Sequence, residues 1–289
     1  MKEIWREDEE MKKFFRTVWQ AGYPILIENG VNLLLTFIIL MLYASMFYSA
    51  NGLYAISIAA DVLDENIMLL TGVVSLVMIP LFMLMIRKDT KKYGDEEPDL
   101  KMNLRIILMC VIGACGASLA GSFMMSMLGM HQSDVHFEQY VEVFNDTAPI
   151  AVILVAIILT PLLEELLFRG LVFKRVCRSY GATIAAVVSS LVYAFTFGGI
   201  ARGIFGFIMG LVYSYAYTKT DRIWVPSVMH MTASTFMILL DFIIEEYGLA
   251  VVGREAVTAV IGVIAGITAS VCYVLYLQKT GDDVIRKTE

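Results

Sequence analysis

The residues whose types and spacing suit chemistry lie in one stretch, Thr160-Pro161-Leu162-Leu163-Glu164-Glu165-Leu166-Leu167-Phe168-Arg169-Gly170. Two adjacent carboxylates, Glu164 and Glu165, stand at the end of a long apolar run that opens near Pro149, and Arg169 follows one helical turn after Glu165. An ionisable group at membrane depth costs roughly 2.5–3.5 kcal/mol on insertion scales, so two adjacent acids there require a reason, and the default reason is function. On a helix Glu165 and Arg169 are i and i+4 neighbours and can pair. That leaves Glu164 about 100° further round and free for chemistry. The alternative is a helix end emerging into water with a capping surface ion pair.

A second chemically competent side chain is His230, eight residues on from Arg222 in a later apolar segment, or roughly 12 Å of helix. The acids sit a few residues from the same end of their own segment, so the depths match. Ser234 is i+4 from His230 and shares its face. A lone histidine on an apolar helix also serves as a hydrogen-bonded packing residue; matched depth favours the site. His131 and His136 fall in a loop expected on the opposite side. No H-E-x-x-H occurs, which removes the zinc proteases built on that helix. Gly-Asp occurs only in hydrophilic stretches (Gly94-Asp95 and Gly281-Asp282), and no serine pairs convincingly with a membrane histidine.

The elements that must position these groups follow from composition. The chain has 289 residues, 58% of them hydrophobic and 17% charged, with a mean hydropathy of +0.71. A soluble domain needs more polar surface than this, so the chain is a polytopic membrane protein of the cell membrane. The first residues are charged and the apolar run after them is too long for a cleaved signal. Eight apolar segments approach the ~20 residues that a bilayer requires: 20–49, 67–86, 104–128, 148–168, 181–198, 203–218, 222–240 and 249–277. Their lengths exclude strands, and the expected fold is an all-α bundle of eight transmembrane helices. Twenty of the 22 Lys and Arg residues fall on one side of that arrangement, with only Arg202 and Arg254 on the other. The positive-inside rule then puts both termini in the cytoplasm.

The organisation expected is a tail (1–19), an N-terminal membrane half (20–147), a core carrying the motifs (148–240), and a last helix with its tail (241–289). Cys110, Cys115, Cys177 and Cys272 form no C-x-x-C pair and read as small apolar packing residues. Gly206/Gly210 and Gly262/Gly266 have the small-xxx-small spacing of close helix contacts. No nucleic-acid partner is expected; the surroundings are the lipid bilayer.

Glu164-Glu165-Leu166-Leu167-Phe168-Arg169-Gly170 with Val172 and Arg175 resembles the first motif, E-E-x-x-x-R, of the CAAX-protease and bacteriocin-processing family of membrane-embedded endopeptidases. Ser189-Ser190-Leu191-Val192-Tyr193-Ala194-Phe195-Thr196-Phe197-Gly198 looks like its second motif. Gly206, Gly210 and Tyr213, then Ile223-Trp224-Val225-Pro226-Ser227-Val228-Met229-His230, look like its third. The resemblance covers about residues 148–240. It implies that Glu164 activates a water for attack on a peptide carbonyl, with Glu165 and Arg169 in support. His230 would stabilise the oxyanion with a neighbour one turn on, the place of Ser234, and Tyr193 and Phe197 would line the substrate pocket. A carboxyl kept from water holds its proton more tightly and can act as a general base. A donor aimed at the developing oxyanion adds a few kcal/mol. The sequence leaves open whether a metal takes part; a zinc ion on Glu164 and His230 is the other arrangement the residues allow.

Two positions depart from the family pattern. Phe197 stands where the second motif usually ends in histidine, and phenylalanine holds neither water nor metal. Ser234 stands where asparagine usually follows the third-motif histidine, and serine still donates a hydrogen bond. Three functions stay open: an endopeptidase cutting near the C-terminus of a membrane-associated peptide or protein; an inactive relative that binds peptides as an immunity or scaffold protein; and a transporter using the two acids and His230 as a proton or cation path. Phe197 poses a geometric demand as well. It lies some sixteen residues into its segment, so it can face the acids only if that helix starts late, tilts or dips, with the apolar turn 198–203 lining a cavity.

Overall fold

The computed structural model describes residues 2–94, 104–127, 149–197 and 199–246, with Gly266, Val271, Tyr273 and Val274. Every regular element among these residues is helical: α1 (Lys2–Asn51), α2 (Ala55–Glu65), α3 (Ile67–Tyr93), α4 (Leu104–Met127), α5 (149–180), α6 (Ala182–Phe195), α7 (Ile200–Thr220) and α8 (Trp224–Glu246). The chain is an all-α, multi-pass membrane protein. Seven of the eight expected apolar segments coincide with helices; the eighth, 249–277, lies outside the described residues apart from four positions. His131, His136, Gly262 and Cys272 also lie outside them. Helix α2 was not anticipated. It buries Ala55, Ala59 and Leu63, an i, i+4, i+8 stripe, and packs beside α1.

Three helical stretches among the described residues are long and apolar enough to cross a bilayer: Asp8–Tyr48, Ile67–Tyr93 and Leu104–Ser122. Ala182–Phe195 and Trp224–Leu240 are apolar but shorter. At 1.5 Å per residue, the 14 residues of α6 reach about 21 Å, short of the ~30 Å hydrocarbon core. The helix starts at Ala182, where the segment is expected to begin, so it does not start late; it ends at Phe195, and Phe197 lies in the turn after it. Thr196 Oγ1 closes the end of α6 by donating to the Tyr193 carbonyl at 2.7 Å.

Helix α5 is the element around which the others pack. Leu163, Leu166, Leu167, Phe168, Leu171, Val172, Phe173 and Val176 are all buried, so over this stretch the helix is enclosed by its neighbours, as a central helix must be. Its winding is irregular for a stated cause. Pro161 has no N–H to donate, and the preceding stretch Val152–Leu159 adopts the wider π-helical turn, with the Thr160 amide donating to Val155 O. A second π-helical stretch, Leu166–Phe173, follows. Glu164 and Glu165 sit on the single α-helical piece between them, Thr160–Glu165.

Pro24 performs a related task in α1. A proline inside a helix frees the carbonyl four residues earlier. Here that is Gln20 O, and the buried Arg175 of α5 donates to it at 2.6 Å. Arg175 also bonds Tyr23 Oη at 2.8 Å and Asp89 of α3 at 2.7 Å. One guanidinium thereby fixes the register of α1 and α3 against α5.

Helices α6 and α7 cross at the expected small residues. A Cβ at Gly210 would stand 2.8 Å from Ser190 Cβ, and one at Gly206 would meet the Phe197 ring at 2.6 Å. A second core joins α4 (Cys110, Ala114), α7 (Met209, Tyr213) and α8 (Met229, Ala233) to Tyr273. Gly266 packs on Gly116 and Ala120 of α4. The cysteines described, Cys110, Cys115 and Cys177, are free thiols, as expected.

Candidate active site

The fold assembles the site from four helices. Helix α5 supplies Glu164, Glu165 and Arg169; α6 supplies Tyr193; α7 supplies Gly210 and Tyr213; and α8 supplies His230. Pro226 in the first turn of α8 has φ pre-set for a helix start, which places His230 one turn further in. The i, i+4 pair forms as the spacing demanded: Arg169 Nη1 donates to Glu165 Oε1 at 2.9 Å, and both side chains are fully excluded from solvent.

Arg169 is satisfied further by partners that its own helix does not supply. Its Nη2 donates to Gly210 O at 2.8 Å. Its guanidinium carbon lies 5.1 Å from the Tyr193 ring centroid and 5.4 Å from that of Tyr213, so two aromatic faces flank the cation.

His230 joins the two acids. Its Nδ1 lies 3.2 Å from Glu165 Oε1, and its Nε2 is 3.8 Å from Glu164 Oε2 and 3.4 Å from Tyr193 Oη. The 100° between adjacent residues on α5 is thus bridged by the two nitrogens of one ring. Tyr213 stacks on that ring at 4.9 Å and 26°, which fixes its plane. Glu165 takes both the arginine and Nδ1, and so reads as the orienting carboxylate. Glu164 and the Nε2 edge are the reactive side. Glu165 Oε2 is buried with no hydrogen-bond partner among the described residues, an acceptor that a water or a substrate N–H would satisfy.

Of the residues picked out from sequence, Glu164, Glu165, Arg169, His230 and Tyr193 converge. Phe197 reaches this group only indirectly, its ring 5.0 Å from that of Tyr193 and its face against Gly206. Ser234 is half-buried on α8 and makes no side-chain hydrogen bond to the described residues. Zinc on Glu164 and His230 finds a poor donor set. Glu165 is already paired through Oε1 with Arg169 and with Nδ1, so the side-chain donors outside that pairing are Glu164 and the Nε2 edge of His230, fewer than the three protein ligands of a catalytic zinc. Among the described residues no group of three metal-binding side chains is assembled.

One contributor was not foreseen as a site residue. Tyr213 was seen only as part of a motif, because stacking on an imidazole leaves no trace in spacing.

Comparison with known proteins bears on the same segment. Residues 146–236 match the family described as type II CAAX prenyl endopeptidase Rce1-like. The chain is 24% identical over 185 residues to a Bacillus subtilis (strain 168) protein named "Putative membrane peptidase YdiL", an alignment covering 62% of this chain and 75% of that protein. It is 35% identical over 109 residues to "Membrane-embedded CAAX protease MroQ" of Staphylococcus aureus (strain USA300), covering 34% of this chain and 42% of that protein. No solved structure matches the chain. The resemblance carried by the three motifs therefore holds, and the core of this chain is similar to membrane CAAX peptidases.

Proposed function

We propose that the chain is an intramembrane endopeptidase in which Glu164 activates a water for attack on a peptide bond near the C-terminus of a membrane-associated substrate. The observation that carries this reading is the approach of His230 Nε2 to Glu164 at 3.8 Å, with Nδ1 held by Glu165 at 3.2 Å. A carboxylate and an imidazole edge on either side of one space are the general base and oxyanion donor that amide hydrolysis requires. Tyr193 Oη, 3.4 Å from Nε2, is the second donor available there. Arg169 touches no reacting atom and holds Glu165, which in turn orients the imidazole. The positive-inside asymmetry supports a position near the cytoplasmic face. Peptides ending in a prenylated cysteine, as the CAAX names of the matches suggest, are the first substrate class to test.

The experiment uses protein reconstituted in vesicles and a fluorescence-quenched peptide ending in farnesylated Cys, two aliphatic residues and a variable residue. Glu164→Gln is expected to reduce cleavage at least ~10³-fold while helicity and thermal unfolding are retained. Cleavage by that variant at the wild-type rate would refute the reading.

Phe197 favours a second reading, a peptide-binding relative without turnover. The residue at the second-motif histidine position is seated on Gly206 and against Tyr193, where it supplies no polar group. Phe197→His fits the same space, and it is expected to raise turnover if the site is weakened. Peptide binding without cleavage in both the wild type and this variant would establish the binding reading.

A further inference from the structure

Two aromatic rings at the end of α6 approach the acids, and they differ in what they carry. Phe197, where the motif calls for a histidine, seats its ring on Gly206 and against Tyr193, and it adds no polar group to the site. Tyr193, four residues earlier, lies in the last turn of the helix and is 2% exposed. Its ring is held by Phe168 at 5.0 Å, Phe197 at 5.0 Å and the Arg169 guanidinium at 5.1 Å. Phenylalanine would make the same three contacts. The hydroxyl is the part that packing does not explain, since a buried O–H is destabilising unless it is bonded. That hydroxyl reaches His230 Nε2 at 3.4 Å, and the same nitrogen lies 3.8 Å from Glu164 Oε2. Tyr193 is also a side-chain hydrogen-bond partner of Glu164. A polar line therefore runs from Glu165 through His230 and Tyr193 to Glu164, and the phenol, able to donate and to accept, is the link within it. The side chains of Glu164 and His230 keep some exposure, so a substrate can reach the line at this end.

We infer that the polar position of this motif has moved from 197 to 193, and that Tyr193 is a catalytic residue whose hydroxyl holds the oxyanion in place of the missing histidine. The inference rests on the endopeptidase reading and makes Phe197 compatible with turnover. As the water oxygen bonds the carbonyl carbon, one water proton passes to Glu164. The carbonyl electron pair moves onto oxygen, where the Tyr193 O–H turns from Glu164 to donate beside His230. Tyr193 keeps its proton throughout. When the carbonyl re-forms, the C–N bond breaks with its electron pair on nitrogen, and that nitrogen takes the proton from Glu164. One water is consumed, one carboxylic acid and one amine form, and the acid passes its proton to the amine as they leave. A donor built this way is fixed before the reaction starts, because the three contacts of the ring leave the hydroxyl little freedom to wander. Phe197 takes the packing role behind it.

The test removes one oxygen atom and keeps the ring. Wild type, Tyr193→Phe, Tyr193→Phe with Phe197→His, and Glu164→Gln are compared in vesicles on the farnesylated peptide and on its phosphinate copy, whose tetrahedral oxygen stands where the oxyanion forms. Tyr193→Phe is expected to lower kcat about 100-fold with KM within about threefold, at unaltered thermal unfolding. It should bind the phosphinate about 100-fold more weakly than the wild type does. A loss that falls on KM instead, with the phosphinate bound as before, would overturn the inference in favour of packing. Adding Phe197→His should leave the double variant within about threefold of Tyr193→Phe, because position 197 lies behind the ring of 193. Recovery to within about tenfold of the wild type would show that 197 is still the polar position. Wild-type cleavage in Tyr193→Phe, with Glu164→Gln inactive, would overturn the role of Tyr193 while sparing the endopeptidase reading. Unchanged cleavage in Glu164→Gln would remove that reading, and the role of Tyr193 with it.

Discussion

Replacing Arg169 with methionine tests the electrostatic frame of the site most directly. The wild-type guanidinium bonds Glu165 Oε1 at 2.9 Å and Gly210 O at 2.8 Å, lies between the rings of Tyr193 and Tyr213, and has no exposure to solvent. Methionine fills most of the volume and keeps helix propensity, so cavity and backbone effects stay small. The dominant loss is the stranding of Glu165, a fully buried carboxylate left with only His230 Nδ1. An uncompensated charge of this kind costs about 3–5 kcal/mol, and two lost cation–π contacts add about 1 kcal/mol each. Arg169→Met should therefore lose about 5–7 kcal/mol, a large share of the 5–15 kcal/mol that usually holds a fold together. Arg169→Met with Glu165→Gln removes both charges. It should recover most of that loss, because a neutral pair of similar volume replaces a buried ion pair at little cost. The assay is SDS-titrated unfolding in mixed micelles followed by tryptophan fluorescence, arranged as a double-mutant cycle. A single-mutant loss below about 1 kcal/mol, or a double mutant as unstable as the sum of its singles, would refute the account of Glu165 as a charge held by Arg169.

Two further outcomes follow from the same geometry. Gly210→Ala sets a Cβ 2.8 Å from Ser190 Cβ and 3.0 Å from Ser190 Cα, a contact that rotation of the serine cannot relieve. It should cost about 1–3 kcal/mol and weaken the hold of Gly210 O on Arg169. Ser190→Gly should restore part of both losses in the same unfolding assay. Millimolar 1,10-phenanthroline should leave peptide cleavage within about twofold of the untreated protein, since Glu164 and His230 Nε2 offer two donors where zinc uses three. Inhibition reversed only by added zinc would show that the protein binds a metal after all.

The part of this protein legible in its sequence is the part governed by short range. Hydrophobic runs fix a helical membrane protein because the bilayer leaves no other way to satisfy the backbone. Glu165 meets Arg169 because residues four apart on a helix share a face. The Gly206 and Gly210 contacts follow from the absence of side chains there. Depth counted from a charged flank was enough to bring His230 to the acids, since both helices are measured from the same membrane surface.

What only the tertiary structure decided is everything that depends on how separate helices rotate and slide against one another. Three such choices shape the site: Arg169 rests between Tyr193 and Tyr213 on Gly210 O, Phe197 sits behind Tyr193, and α1 is held against α5 by Arg175. The contact that fixes the last of these joins an arginine on α5 to the one carbonyl that Pro24 had released on α1. The proline is visible in the sequence, but the freed carbonyl has no marked partner there. A hydrogen bond across 155 residues is chosen by packing rather than by spacing.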